Sequence, residues 1–305
     1  MISFIVRRLA LAIAVIFVAA ALVFVVMRSM PGGPFDVENI MSDEARENLL
    51  HLYGLDQPLH VQFLSFLSGA VRGDFGTSYK YRGMEVRQLI AERFPVSALL
   101  GLCAVVLTAV FGIPLGVLAA IKRNSWIDYV IMVFASAGYA VPNFVTALLL
   151  MLFLAVRVDL FPVGGWGSFA NLVLPAVALG LPHVCIIARL TRSSMINVLQ
   201  EDYVQTARSK GLRQSVVIVK HAMRNAIIPV ITVLGVIASA MISGSIVIER
   251  VFAIPGLGNF FATSIMDSDY SVVMGFTLLF AIIIVTANLL IDLAYGFIDP
   301  RIVYD

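Results

Sequence analysis

Four side chains in otherwise apolar stretches are of types that do chemistry: Asn143, His183, Asn288 and Asp292. An ionisable group at membrane depth is costly, so a histidine or aspartate there points first to proton transfer, ion coupling or hydrolysis. Each of those chemistries needs a second group. Asp292 has no intramembrane aspartate partner, no His-Glu-x-x-His zinc pattern occurs, and His183 has no serine in a Gly-x-Ser-x-Gly turn. No Gly-x-x-x-x-Gly-Lys-Ser/Thr loop is present to cradle phosphates, so any nucleotide chemistry belongs to another chain. The sequence thus predicts a non-catalytic protein with no metal site and no bound cofactor of its own. Under that reading His183 hydrogen-bonds a neighbouring helix or lines a path through the membrane, while Asp292 snorkels or pairs with a nearby base.

Recognition is the chemistry suggested by the polar segment 190–225. Its apolar residues keep a rhythm through Met195, Val198, Leu199, Tyr203 and Ala207, reach Gly211, and resume at Val216, Val217, Ile218 and Val219. The spacing predicts a short helix stopped at Gly211 and a second helix leading back to the membrane. A basic loop that only touches lipid headgroups does not need that order.

The elements that must position these residues follow from composition. Of 305 residues, 60% are hydrophobic and 13% charged, where a soluble domain carries about 25% charged. A water-soluble globule and a disordered chain are both excluded. Cys103 and Cys185 allow at most one bridge, so this is no disulfide scaffold. A net charge of +2 is too small to argue for nucleic acid.

A hydrocarbon core about 30 Å thick takes roughly 20 apolar residues to cross as helix. Six charge-free stretches meet that length: Leu9–Met27, Val96–Ile121, Tyr129–Val156, Asn171–Ala188, Ala226–Ile248 and Tyr270–Ile291. They predict an all-α, polytopic membrane protein with six transmembrane helices, the fourth interrupted by Pro175 and Pro182. Arg7-Arg8 and Ala19-Ala20-Ala21 resemble a cleavable leader, but the apolar run continues to Met27, so a retained helix is expected. With a cytoplasmic amino terminus, Arg7, Arg8, Lys122, Arg123, the basic residues of 190–225 and Arg301 all lie inside. The two short loops opposite hold only Arg157 and Arg250. Both termini are therefore expected in the cytoplasm.

Three regions result: an N-terminal helix (1–30), an extracytoplasmic cap (31–95) and a five-helix core (96–305) that includes the loop 190–225. Leu49, Leu50, Leu52, Leu55, Leu59, Phe63, Phe66 and Leu67 recur at helical spacing and predict a folded cap. It serves as a lid on the bundle or as a docking surface for an external partner. Gly112 and Gly116 would permit close helix packing. Small and hydroxyl residues, Ser239 and Ser243 among them, join Asn143 and His183 as candidates for a translocation path.

The stretch Glu201-Asp202-Tyr203-Val204-Gln205-Thr206-Ala207-Arg208-Ser209-Lys210-Gly211-Leu212 resembles the cytoplasmic EAA loop of ABC importer permeases, in the form of the dipeptide and oligopeptide group. The continuation His221 to Pro229 is similar to that group too. So are Arg7-Arg8, Pro31-Gly32, Gly73-Asp74-Phe75-Gly76, Phe94-Pro95, Val141-Pro142-Asn143-Phe144, Pro255-Gly256-Leu257-Gly258 and Asp299-Pro300-Arg301. The pattern is most similar to the B-type permease subunit of oligopeptide importers. Two positions depart from it: Gln205 stands where the motif has its glutamate, and Arg224 where it has a proline.

The resemblance implies the type I ABC importer permease fold in a bacterial inner membrane. It implies a homologous C-type permease, two cytoplasmic ATPase subunits carrying ATP and magnesium, and an extracytoplasmic solute-binding protein that delivers peptide. Glu201, Asp202, Tyr203, Thr206, Ala207, Arg208, Lys210 and Gly211 would form the ATPase-coupling loop. Ala207 and Gly211 would allow close approach of the ATPase, and Arg208 and Lys210 would pair with its acidic rim. Pro255, Gly256 and Gly258 would receive the binding protein. Dipeptides, glutathione or nickel are the alternative substrates within the group, and an ion-coupled secondary transporter is the alternative class.

Overall fold

The computed structural model describes residues 2–29, 33–35, 42–81 and 83–298, the side chains of residues 2–5 and 292–298 excepted. The Pro31-Gly32 pair, the Asp292 side chain and Asp299-Pro300-Arg301 lie outside the described residues.

In chain order the helices are α1 (Ile2–Ser29), α2 (Asp43–Leu52), α3 (Leu59–Val71), α4 (Val86–Ile121), α5 (Trp126–Ala140) and α6 (Asn143–Leu150), which a π turn extends over Met151–Arg157. There follow α7 (Phe169–Val198), α8 (Asp202–Ser209), α9 (Gln214–Val216), a second π turn (Val217–Ala222), α10 (Met223–Ile242), α11 (Ile246–Val251), α12 (Leu257–Met266) and α13 (Tyr270–Ile298). Among the described residues the sole β feature is an isolated bridge between Thr77 and Glu85.

Five helices are long and apolar enough to cross a membrane, and α5 with α6 makes a sixth span only as a pair bent by 102°. The straight helix expected over Tyr129–Val156 is therefore broken. Pro142 is the physical reason: it lacks an amide hydrogen and clashes with the preceding turn, so the chain leaves helix at Val141 and restarts at Asn143. The prolines of α7 act differently. Pro175 and Pro182 both lie inside one continuous helix that runs ten residues past the expected end at Ala188. The fifth stretch ends early, at Ile242, where Gly244 turns the chain at φ +106° into the separate α11.

The core is α4 against α7. An added Cβ on Gly112 would stand 2.9 Å from Ile187 Cγ2, and one on Gly116 would stand 2.5 Å from the Ala188 carbonyl oxygen. These two glycines are thus what brings the helix axes together. Overpacking such a contact costs about 1–3 kcal/mol. Gly116→Ala should lower the thermal midpoint of the purified protein more than Gly112→Ala, because its new Cβ would stand 2.5 Å from both the Ala188 carbonyl oxygen and Thr191 Cβ, against 2.9 Å for the nearest atom at Gly112.

Above one end of this core sits the cap. α2 starts at Ser42, whose hydroxyl accepts from the Ala45 amide, and Phe35 stacks on Tyr53. The buried Asp269 carboxylate accepts from the Ser78 hydroxyl and from the amides of Tyr79 at 3.2 Å and Lys80 at 3.4 Å. That contact ties the cap to the start of α13, which α1 also flanks.

Candidate functional site

The polar loop folds as its rhythm predicted, with one difference. α7 carries Met195 and Val198, the chain breaks at Leu199–Glu201, and α8 is a separate helix. Asp202 in its first turn and Arg208 in its last both suit the helix dipole. Gly211 follows at φ +72°, its amide donating to the Arg208 carbonyl at 2.9 Å. A residue with a Cβ is strained in that left-handed region, so glycine sets the stop.

Val204 and Ala207 are buried against Val217, Val198 and Leu199. Ala207 consequently faces this chain's own second π turn, and the expected approach of a partner through Ala207 and Gly211 does not have that face available. A small residue is needed there because α8 lies flat on the rest of this chain. The opposite face exposes Tyr203, Thr206 and Lys210, spaced three and four apart, with Glu201, Asp202, Arg208 and Gly211 also exposed. Tyr203 accepts a hydrogen bond from Asn225 Nδ2 at 2.8 Å, so α8 is latched to the start of α10. Ser194 of α7 donates to the Ala226 carbonyl at 2.8 Å and closes the triangle.

A partly buried ion pair stands beside this loop and was not expected. Arg192 Nε and Nη2 donate to the two oxygens of Asp128 at 2.6 and 2.7 Å, and the Asn124 amide adds a bond at 3.0 Å. Asp128 is 2% exposed and Arg192 27%. The fork geometry fixes the start of α5 against the part of α7 that runs into α8. In the sequence, Asp128 is merely the last charge before an apolar stretch, and nothing local names its partner 64 residues away.

The opposite end holds a second unexpected group. Glu249 is fully buried, and among the described residues no cation pairs with it. Its Oε1 accepts from the Ser97 hydroxyl at 2.7 Å and the Ser245 amide at 3.2 Å, and its Oε2 from the Asn259 amide at 2.9 Å. The Ser97 hydroxyl in turn accepts from the Leu257 amide at 2.8 Å. Burial pushes the Glu249 carboxyl above the ordinary glutamate range, and the bonds from Ser97, Asn259, Ser245 and Gly258 oppose that rise.

This knot revises the expected docking loop. Gly256 and Gly258 are buried and Pro255 is half-buried. A Cβ on Gly256 would come within 2.5 Å of both Glu249 Oε2 and Ser97 Oγ. The glycines are there to let the backbone close on a carboxylate, which leaves them no surface to offer a partner.

The candidate path residues are not brought together. Ser239 and Ser243 are buried and donate to the carbonyls of Val236 and Ser239 in their own helix, each at 2.7 Å. His183 is half-buried and its Nδ1 lies 3.0 Å from the Leu179 carbonyl, again in the same helix, and not on a neighbour. Asn143 is half-buried at the first position of α6. A cavity of about 870 Å³ opens in the angle between α5 and α6, but its lining is apolar (Leu115, Phe134, Leu149, Leu181 and Val184 among others) and includes none of these four. Among the described residues no cluster of three His, Cys, Asp or Glu stands ready for a metal ion.

Comparison with known proteins identifies the family. Residues 112–304 match the family described as the binding-protein-dependent transport system inner membrane component, and residues 1–101 match the N-terminal part of such membrane components. The dipeptide transport system permease protein DppB of Bacillus subtilis is 44% identical over 302 residues, covering 99% of this chain and 98% of that one. The oligopeptide transport system permease protein OppB of Escherichia coli K12 is 39% identical over 306 residues and covers both chains completely. Among solved structures, inward-facing conformations of the MetNI methionine ABC transporter match with a TM-score of 0.55 at 15% identity, over 70% of this chain and 97% of that chain. That likeness shows a shared fold. With full-length relatives above 30% identity and both parts of the family pattern in place, the chain belongs to the inner-membrane permease components of binding-protein-dependent transport systems.

Proposed function

We propose that this chain is one of two permease subunits of an ATP-driven peptide importer, oriented with both termini in the cytoplasm. The observation that carries the reading is full-length identity to both dipeptide and oligopeptide permeases. Oligopeptides are the substrate we favour, since the sequence motifs are most similar to the oligopeptide B-type subunit. A homologous C-type permease completes the path, two ATPase subunits bind ATP and magnesium below it, and a solute-binding protein delivers peptide from outside.

In this reading α8 is the coupling helix. Its inward face, Val204 and Ala207, holds it on the permease, so the ATPase meets Tyr203, Thr206 and Lys210 with Arg208 alongside. Motion of the ATPase passes through the Tyr203–Asn225 bond and the Gly211 turn into α10. Gly211→Val introduces about 1–2 kcal/mol of backbone strain where nothing else lies within 4 Å of the new Cβ. The complex should still assemble, hydrolyse ATP and fail to couple hydrolysis to uptake. Undiminished peptide uptake by this variant in proteoliposomes would count against the coupling role.

The function itself is tested by reconstituting the chain with its permease and ATPase partners and measuring uptake of a labelled tetrapeptide from its loaded binding protein. Uptake should require ATP and all subunits. Transport by the purified chain alone, or transport driven by an ion gradient, would overturn the reading.

A further inference from the structure

The cap was expected to stand outside the membrane, yet α3 does not lie where a water-facing lid would. Phe63 on its inner face packs on two residues of the membrane helix α1, Phe17 at 5.8 Å and Phe24 at 5.2 Å between ring centroids. The headgroup level is marked independently. Arg28 lies over the Tyr270 ring at 4.9 Å, and Tyr53, Tyr79 and Tyr270 form a chain of ring contacts around it. Arg28, in the last turn of α1, ends the apolar run of that span and so marks the level at which it leaves the hydrocarbon. Along α1, Phe24 and Phe17 lie about 6 and 17 Å inward of Arg28 at 1.5 Å per residue. Phe63 therefore lies inward of Arg28, against the hydrocarbon-spanning part of α1.

Between Leu59 and Val71, α3 carries no Asp, Glu, Lys or Arg. Around its circumference Phe66, Phe63, Leu67, Val71 and Leu64 lie on one arc, which His60 in the first turn shares, while Ser65 and Arg72 lie opposite with Val61 and Ser68 at the margin. Only part of the arc is covered by protein: Leu64 is 62% exposed and Val71 89%. On the side of α1 that α3 meets, Phe17, in contact with Phe63, is itself 49% exposed and, as part of a span, faces lipid.

We propose that α3 is an interfacial helix lying in the cap-side leaflet, with Leu64 and Val71 covered by lipid acyl chains and Ser65, Ser68 and Arg72 turned to the headgroups and water. The occupant is lipid because α3 packs through Phe63 on Phe17, a half-exposed residue of the span well inward of Arg28. An amphipathic helix with its apolar arc sunk into the acyl boundary has this pattern. The first cap helix pair is then a membrane-held arm, and the position of the cap over the bundle depends on bilayer thickness.

The test is nitroxide labelling of single cysteines at Leu64, Ser65, Ser68 and Val71, with Cys103 and Cys185 replaced by alanine, in the assembled importer in nanodiscs. Collision of the label with oxygen, which partitions into lipid, is compared with collision with a water-soluble nickel chelate. Oxygen should dominate at Leu64 and Val71, and the chelate at Ser65 and Ser68. Chelate dominance at all four positions would overturn the proposal, as would Leu64 and Val71 labels that neither reagent reaches, since a protein partner would then cover the edge. Two lipid-facing positions keep the result decisive if one variant does not fold. Peptide uptake by the same variants reports separately on transport.

Discussion

Glu249→Ala should be the most damaging single substitution at the cap end of this permease. It leaves the Ser97 hydroxyl and the Ser245 and Asn259 amides without their acceptor at a buried site, at about 1–3 kcal/mol for each buried unsatisfied group. The loss should show as greatly reduced yield of folded protein and, in the fraction that survives, proteolytic sensitivity between α10 and α12. Glu249→Gln is the informative companion. It keeps the shape but turns one acceptor oxygen into a donor facing other donors, so it should fall between wild type and alanine. A glutamine variant as stable as wild type would mean that the carboxylate is not needed as an acceptor on both oxygens. Gly256→Ala attacks the same knot from the backbone side, because the new methyl carbon would stand only 2.5 Å from Glu249 Oε2 and Ser97 Oγ, closer than any van der Waals contact allows.

Asp128→Ala is the second large expectation, and it acts at the other end. Removing one partner of a buried ion pair strands the other charge and typically costs about 3–5 kcal/mol. Here the value should sit toward the lower end, because Arg192 keeps some contact with solvent. The thermal midpoint of the detergent-solubilised complex should fall with Asp128→Ala and recover in part in the double variant Asp128→Leu/Arg192→Met, which removes both charges. A double variant as unstable as the sum of the two singles would show that the pair contributes nothing as a pair. Because Arg192 sits on α7 just ahead of the break into α8, the single variant should also weaken coupling of hydrolysis to uptake.

The two groups share a physical form that explains why the sequence did not disclose them. The polar residues that drew notice by standing inside apolar runs, His183, Ser239 and Ser243, spend their hydrogen bonds on their own helices. Those that organise the fold, Asp128, Glu249 and Asp269, sit at the edges of apolar runs, where a charge is unremarkable. What gives them meaning is a partner distant in sequence: Arg192 for Asp128, Ser97 for Glu249, and the Ser78 hydroxyl with the Tyr79 and Lys80 amides for Asp269.

Sequence by itself determined the membrane class, the long spans and the helix–glycine–helix order of the polar loop, since each depends on quantities local to the chain: apolar length against bilayer thickness, and the left-handed preference of Gly211. It located Gly112 and Gly116 as a packing motif for the same reason. Only the tertiary structure decided that Ala207 faces inward, that Pro142 breaks a span while Pro175 and Pro182 do not, and that the Pro255–Gly258 segment is a buried knot. Those outcomes depend on what stands opposite a residue after folding. A proline is tolerated where neighbouring helices hold the chain, and a glycine reads as a loop residue until the carboxylate that it makes room for is found.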